Sequence, residues 1–195
     1  DEQIISLPSG MIPCMTEVEY SRESEAATLC KSCGLCCTGH LFSWVRLKAT
    51  ELTPSEKLGL KVIRNDPTQR GFTQPCPAWN GQCAIYTSPH YPRGCDSYKC
   101  KLLRELLDES ISLRDAQSVV EETKASIRKV EAQLPKSADG SYRDRFIAQV
   151  KSLRESSGQG HHHKFLVQAE VLLNVFRNSF GVKDFFEEEE GIAKT

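Results

Sequence analysis

The chain has 195 residues, 39% hydrophobic and 26% charged, and its 25 Lys and Arg against 26 Asp and Glu leave a formal net charge of -1. That is enough chain to bury an ordinary core, and too balanced in charge to draw nucleic acid as a default partner. No apolar run approaches the roughly 20 residues that span a bilayer, and residues Asp1 to Gly10 lack the basic and apolar parts of a signal peptide, so a soluble, cytoplasmic protein with no membrane partner is expected.

Residues 1–27 mix Pro8, Gly10 and Pro13 with acidic and small residues and carry an isolated Cys14; they read as an N-terminal extension with a short helical piece near Glu23 to Leu29. Residues 28–105 are rich in Gly, Pro, Ser and Thr and hold the cysteines. Two regular elements are predicted in the middle of this module. One is a strand over Leu41 to Leu47; the other is a helix from Thr53-Pro54, where proline suits the first turn and Glu56 follows Thr53 at capping-box spacing.

Near the end of the module the pattern turns to a period of about 3.6. Leu102, Leu103, Leu106 and Leu107 make one stripe. Ser112 can cap a helix carrying Leu113, Ala116, Val120, Thr123, Ile127, Val130 and Leu134 at three- and four-residue steps, and Pro135 to Ser141 breaks it. A third helix places Tyr142, Phe146, Ile147, Val150 and Leu153 on one side and ends over Ser156 to Gly160. A fourth aligns Phe165, Ala169, Leu172, Leu173, Phe176 and Phe180, with Gly181 as terminator. Residues 106–183 therefore read as a helical region packed with the module, and 184–195 as an acidic tail whose Glu187 to Glu190 run is a solvated end. The expected fold class is mainly α: a loop-rich cysteine module with a short strand or two, then three or four amphipathic helices.

Of nine cysteines, eight lie between positions 30 and 100 and none in the last 95 residues. A disulfide framework would be even in number and spread along the chain, so clustering favours metal. The first group, Cys30-Lys-Ser-Cys33-Gly-Leu-Cys36-Cys37, uses two-residue spacers that let neighbouring sulfurs converge, as in zinc knuckles and the C-x2-C-x2-C run of ferredoxins. Cys76-Pro-Ala-Trp-Asn-Gly-Gln-Cys83 and Arg93-Gly-Cys95-Asp-Ser-Tyr-Lys-Cys100 complete eight thiols, which matches two four-ligand centres. Cys36 and Cys37 are neighbours, so their side chains diverge and should serve different centres, or one should stand behind the other. Cys95 is expected in the turn before a helix, with Asp96 near the N-cap and Cys100 in the first turns, where the positive helix end would favour thiolates.

The ordered pattern CKSCGLCC, CPAWNGQCAIY and YPRGCDSYKC resembles the YkgJ-like cysteine-cluster proteins, described as zinc- or iron-chelating domains and known by a CxxCxxCC signature. The resemblance spans about residues 28 to 102, including Ile85-Tyr86 and Val45-Arg46-Leu47. It implies the ligand set Cys30, Cys33, Cys36, Cys37, Cys76, Cys83, Cys95 and Cys100. Family members carry Arg-Pro before the equivalent of Cys95, where this chain has Tyr91-Pro92-Arg93-Gly94, so the local turn is expected to differ.

Four thiolates satisfy either zinc or an iron–sulfur cluster, and the residues alone do not separate them. A similar domain in flagellin lysine N-methylases tips the expectation slightly toward iron–sulfur. His40 and His90 sit near the thiols but read as ordinary loop histidines, since eight sulfurs already suffice. The run His161-His162-His163 reads as a loop, Cys14 as a non-ligand, and Trp79, Trp44 and Tyr86 as packing beside the site. No Gly-rich phosphate loop, HExxH, GxSxG or Cys-x5-Arg cradle is present. Three roles remain open: a structural metal module that docks a protein or peptide partner, a redox or modifying enzyme acting on a peptide or protein, and a metal chaperone or sensor.

Overall fold

The computed structural model describes residues 24–136, 140–155, 163–182 and 185–186. Among these it contains seven α-helices and one small sheet, a mainly α fold. The extension before residue 24, with Cys14, the 156–160 break, His161, His162 and the Glu187 to Glu190 run lie outside the described residues.

Helix α1 spans Glu25–Cys33. The Ser24 hydroxyl accepts from the Ala27 N–H at 3.2 Å, Glu25 faces the positive end and Lys31 the negative end. The helix runs past the expected Leu29 and carries Cys30 and Cys33 on its last turn, stopping where Gly34 turns left-handed. Strand β1 is Trp44–Arg46, shorter than the expected Leu41 to Leu47, because the Leu41 N–H turns back to the Leu35 carbonyl. A 3-10 turn, Ala49–Glu51, leads into α2, Leu52–Lys57. Glu51 caps this start by accepting from the Lys48 N–H at 2.8 Å, while Glu56, expected to cap Thr53, instead pairs with Arg64 at 2.6 Å.

Two strands escaped the sequence pattern: β2, Val62–Ile63, and β3, Gly71–Thr73. Each is too short to show a period of two. The antiparallel order is β1-β3-β2, with Val45 opposite Phe72 and Val62 opposite Phe72 on the other side. Helices α3, Arg93–Ser97, and α4, Lys101–Leu107, follow. Then come α5, Leu113–Glu131, α6, Tyr142–Glu155, and α7, His163–Phe180.

The stripes of α5 and α7 bury largely as the periodicity required, while on α6 Tyr142, Phe146 and Val150 are buried and Ile147 and Leu153 half-buried. On α5, Ala116, Val120, Thr123, Ile127 and Val130 are buried, and Ser112 caps by accepting from the Asp115 N–H. All six apolar positions of the α7 stripe are buried, with Leu172 and Phe176 fully enclosed. The α4 stripe is narrower than expected: Leu102, Leu103 and Leu106 are buried, but Leu107 is 52% exposed.

Two apolar clusters result. One joins α1, α4, α5, α6 and α7; the other gathers Val45, Leu47, Leu52, Leu60, Phe72 and Cys76 around the sheet. Helix α1 packs on α4 and α5, and Phe42 packs against both clusters, so the cysteine-bearing loops occupy the seam between them. No helix among the described residues is long and apolar enough to cross a membrane.

Candidate metal centre

Cys30 and Cys33 are three apart on α1 and so share a face. Beyond them the chain coils tightly: the Thr38 N–H reaches the Gly34 carbonyl at 2.8 Å, and the His40 N–H reaches the Leu35 carbonyl at 3.0 Å. This coil turns Cys36 and Cys37 to opposite sides. Cys36 packs with Cys33 and Cys100 against the helical cluster, and Cys37 packs beside Cys76 and Cys95 in the sheet cluster.

Two backbone bonds dock the 76–83 loop on this coil. The Cys76 N–H donates to the Cys37 carbonyl at 2.7 Å, and the Cys83 N–H donates to the Lys31 carbonyl at 3.2 Å. Within the loop, Trp79 and Cys83 form an antiparallel bridge, and the Trp79 indole lies flush on Gly34. That is the packing role expected of Trp79.

The last cysteines are placed differently from the expectation. Cys95 lies inside the short helix α3, whose N-cap is Pro92, so Asp96 is not a cap. Cys100 is itself the N-cap of α4: its sulfur accepts from the Leu103 N–H at 3.4 Å. The extended Tyr98 separates the two helices and lets Cys95 and Cys100 face different clusters. The departure follows from Pro92, which starts a helix one turn earlier than the cysteine spacing suggested.

All eight are free thiols, Cys76 a buried residue and the other seven half-buried. Burial raises Cys30 to about 11 and Cys33 to about 12, and lifts Cys36, Cys37, Cys76, Cys95 and Cys100 above the ordinary thiol value as well. The mutual repulsion that ionised sulfurs would add sorts them further. The charge of Cys100 would act on Cys30, Cys33 and Cys36. Those of Cys76 and Cys83 would act on Cys37 and Cys95. Packing places Cys33, Cys36 and Cys100 on one side and Cys37, Cys76 and Cys95 on the other. The repulsions add Cys30 to the first through Cys100 and Cys83 to the second through Cys37 and Cys95, while Cys37 on Cys36 and Cys33 on Cys37 act across the divide. Cys30 stands nearest the boundary, since it also acts on Cys37 and Cys95.

Backbone N–H groups favour the thiolate at three of these sulfurs: Leu35 at Cys33, Ala78 at Cys76 and Leu103 at Cys100. Cations assist from outside, Lys99 at Cys30, Lys124 at Cys33 and Arg104 at Cys100. Two half-buried phenols were not singled out in the sequence. Burial and then the sulfurs raise both, Tyr91 beside Cys95 and Cys83, and Tyr98 beside Cys36 and Cys100. Their spacing of four before and three after Cys95 was the available signal, and they flank α3 on either side. In the side-chain positions seen, no group of three or more His, Cys, Asp or Glu among the described residues is arranged to hold a metal ion.

His40 turns away from the sulfurs. Its Nδ1 meets the Thr38 hydroxyl, and its ring lies 4.5 Å from that of Tyr142. Burial holds it down to about 4, with Glu131 opposing and Arg145 and Lys124 assisting. The unfolded chain therefore takes up this proton first as pH falls. Stability from this group is whole above about 6.5 and is lost down to about 4, by at most about 3 kcal/mol. Thermal melts of the wild type should lose more stability between these pH values than melts of His40→Gln. Equal losses would show that the ring is not held neutral. His90 is an exposed loop residue and His163 an exposed first residue of α7.

Fold and site define a small, mainly α protein with eight free cysteines gathered at the seam of two cores. No family model, no curated protein and no solved structure matches the chain.

Proposed function

We propose that this is a metal-binding protein of the YkgJ-like cysteine-cluster kind, holding an iron–sulfur cluster, zinc, or one of each in two centres of four cysteines. Cys30, Cys33, Cys36 and Cys100 form the first set; Cys37, Cys76, Cys83 and Cys95 form the second. The single observation that carries this reading is the sorting of six of the eight free thiols, Cys33, Cys36 and Cys100 against Cys37, Cys76 and Cys95, into two packed groups on either side of the Cys36-Cys37 divide.

The donor chemistry fits. Thiolates bind zinc and iron–sulfur clusters alike, backbone N–H groups already point at three sulfurs, and Lys99, Lys124 and Arg104 offset the negative charge that four thiolates would build up. The raised thiols hold their protons without a cation, so loading must release protons and weaken as pH falls. Zinc would supply folding energy alone, whereas an iron–sulfur cluster would add electron transfer. Thiols of this kind stay reduced in the cytoplasm, which is the compartment proposed. A protein or peptide is the proposed partner.

Anaerobic purification followed by metal and sulfide analysis, with an absorption spectrum, tests the reading. Bound iron with sulfide and visible absorption, or bound zinc with a silent spectrum, supports it. A well-folded, metal-free chain that takes up neither metal overturns it.

A further inference from the structure

The two cavities beside the thiols differ in kind. The first, about 50 Å³, is walled by sulfurs and apolar side chains such as Leu29, Leu35, Val120 and Phe180. It offers a hydrated ion almost no polar contact. The second, about 220 Å³, lies between α1, the Tyr86 to Tyr91 stretch, α3 and α4. Its walls mix apolar surface with the Asp96 carboxylate, the Lys99 ammonium and the two tyrosines, and they include Cys30 and Cys95.

Those two thiols belong to different sets, so this cavity is a place from which a small solute meets one donor of each. Its volume is several times the share of a water molecule, about 30 Å³. Carboxylate and phenol oxygens can replace part of an ion's hydration before sulfur takes over. The Lys99 Nζ donates to the Asp96 carbonyl at 2.7 Å, which ties the ammonium to the end of α3. Leu107, 52% exposed, stands on the cavity wall where α4 ends.

We propose that this cavity is the route by which metal ions and small chelating ligands reach and leave the thiols, with Cys30 and Cys95 as the first sulfurs met. The proposal rests on the metal-binding reading. It makes the access side of the centres the α1–α4 face.

Two cavity-narrowing variants of the full chain test it. Ala26→Phe adds a ring from the half-buried first turn of α1, and Leu107→Trp covers the rim from an exposed position. Metal release from the purified protein to a chromophoric chelator should slow by about tenfold in each, equivalent to ~1.4 kcal/mol on the exit barrier, with metal content per chain unchanged. Alkylation by N-ethylmaleimide, mapped by peptide mass, should modify Cys30 and Cys95 before Cys33 and Cys36 in the wild type, and lose that order in both variants. Release rates within twofold of wild type in both variants, or first alkylation at Cys33 and Cys36, overturn the route. A wild-type chain that binds no metal overturns the function instead, and the alkylation order still reads the cavity.

Discussion

Replacing Gly34 with alanine is expected to destabilise the protein by about 3 kcal/mol, and the cause is local and specific. Gly34 ends α1 at a φ of 72°, where an L side chain strains against its own backbone by about 1 kcal/mol. A Cβ there would also stand 2.1 Å from the Trp79 Cζ2. The Trp79 main-chain N–H is bonded to the Cys76 carbonyl and the residue bridges to Cys83, so the backbone that carries the indole is tied to the loop. Room for the methyl is made by lifting the 76–83 loop, which carries two thiols away from Cys37.

Gly59 supplies the comparison. It has a φ of 81° with nothing near its absent Cβ, so Gly59→Ala carries the backbone strain alone. Urea denaturation should show Gly34→Ala losing about 2 kcal/mol more than Gly59→Ala, and Trp79→Ala should make Gly34→Ala much less costly in a double-mutant cycle. Equal losses at the two glycines would mean that the indole does not sit on Gly34.

The second large effect concerns the adjacent pair Cys36 and Cys37. On the proposed reading Cys36→Ser impairs the set that packs on the helices, and Cys37→Ser the set that packs on the sheet. Each variant should retain about half of the wild-type metal, and the double variant almost none. Chelation of both centres should remove on the order of 10 kcal/mol per site if they hold zinc, enough to unfold the loops between Cys30 and Cys100. Metal analysis beside circular dichroism reads both effects. If either single substitution removes all metal, the eight sulfurs serve one centre and the division is wrong.

Much of this architecture was legible before any coordinates. The α7 stripe was readable to the residue, and the α5 stripe but for its ends at Leu113 and Leu134, because a long amphipathic helix repeats its signal over several turns. The eight candidate thiols were readable because clustered cysteines at two-residue spacing are rare without a shared purpose. Divergence of Cys36 and Cys37 followed from chain geometry alone. Strands β2 and β3 were not readable, since two or three residues carry no period and gain their partners from segments far along the chain. The start at Glu51 and the pairing of Glu56 with Arg64 were missed for the same reason: one carboxylate had two acceptable partners, and only the fold chose.

By itself the sequence determined the fold class and the buried faces of the long helices, since these depend on local periodicity, and it supplied the candidate donor thiols through residue chemistry. Only the tertiary structure decided which apolar cluster Cys36 and Cys37 each pack against, that Cys100 caps α4, that Trp79 rests on Gly34, and that Tyr91 and Tyr98 lie against the sulfurs. Each of these is a contact between segments whose meeting depends on how two cores pack around a seam. No short window of residues encodes that packing, because its energy comes from surfaces that come together only when the whole chain has folded.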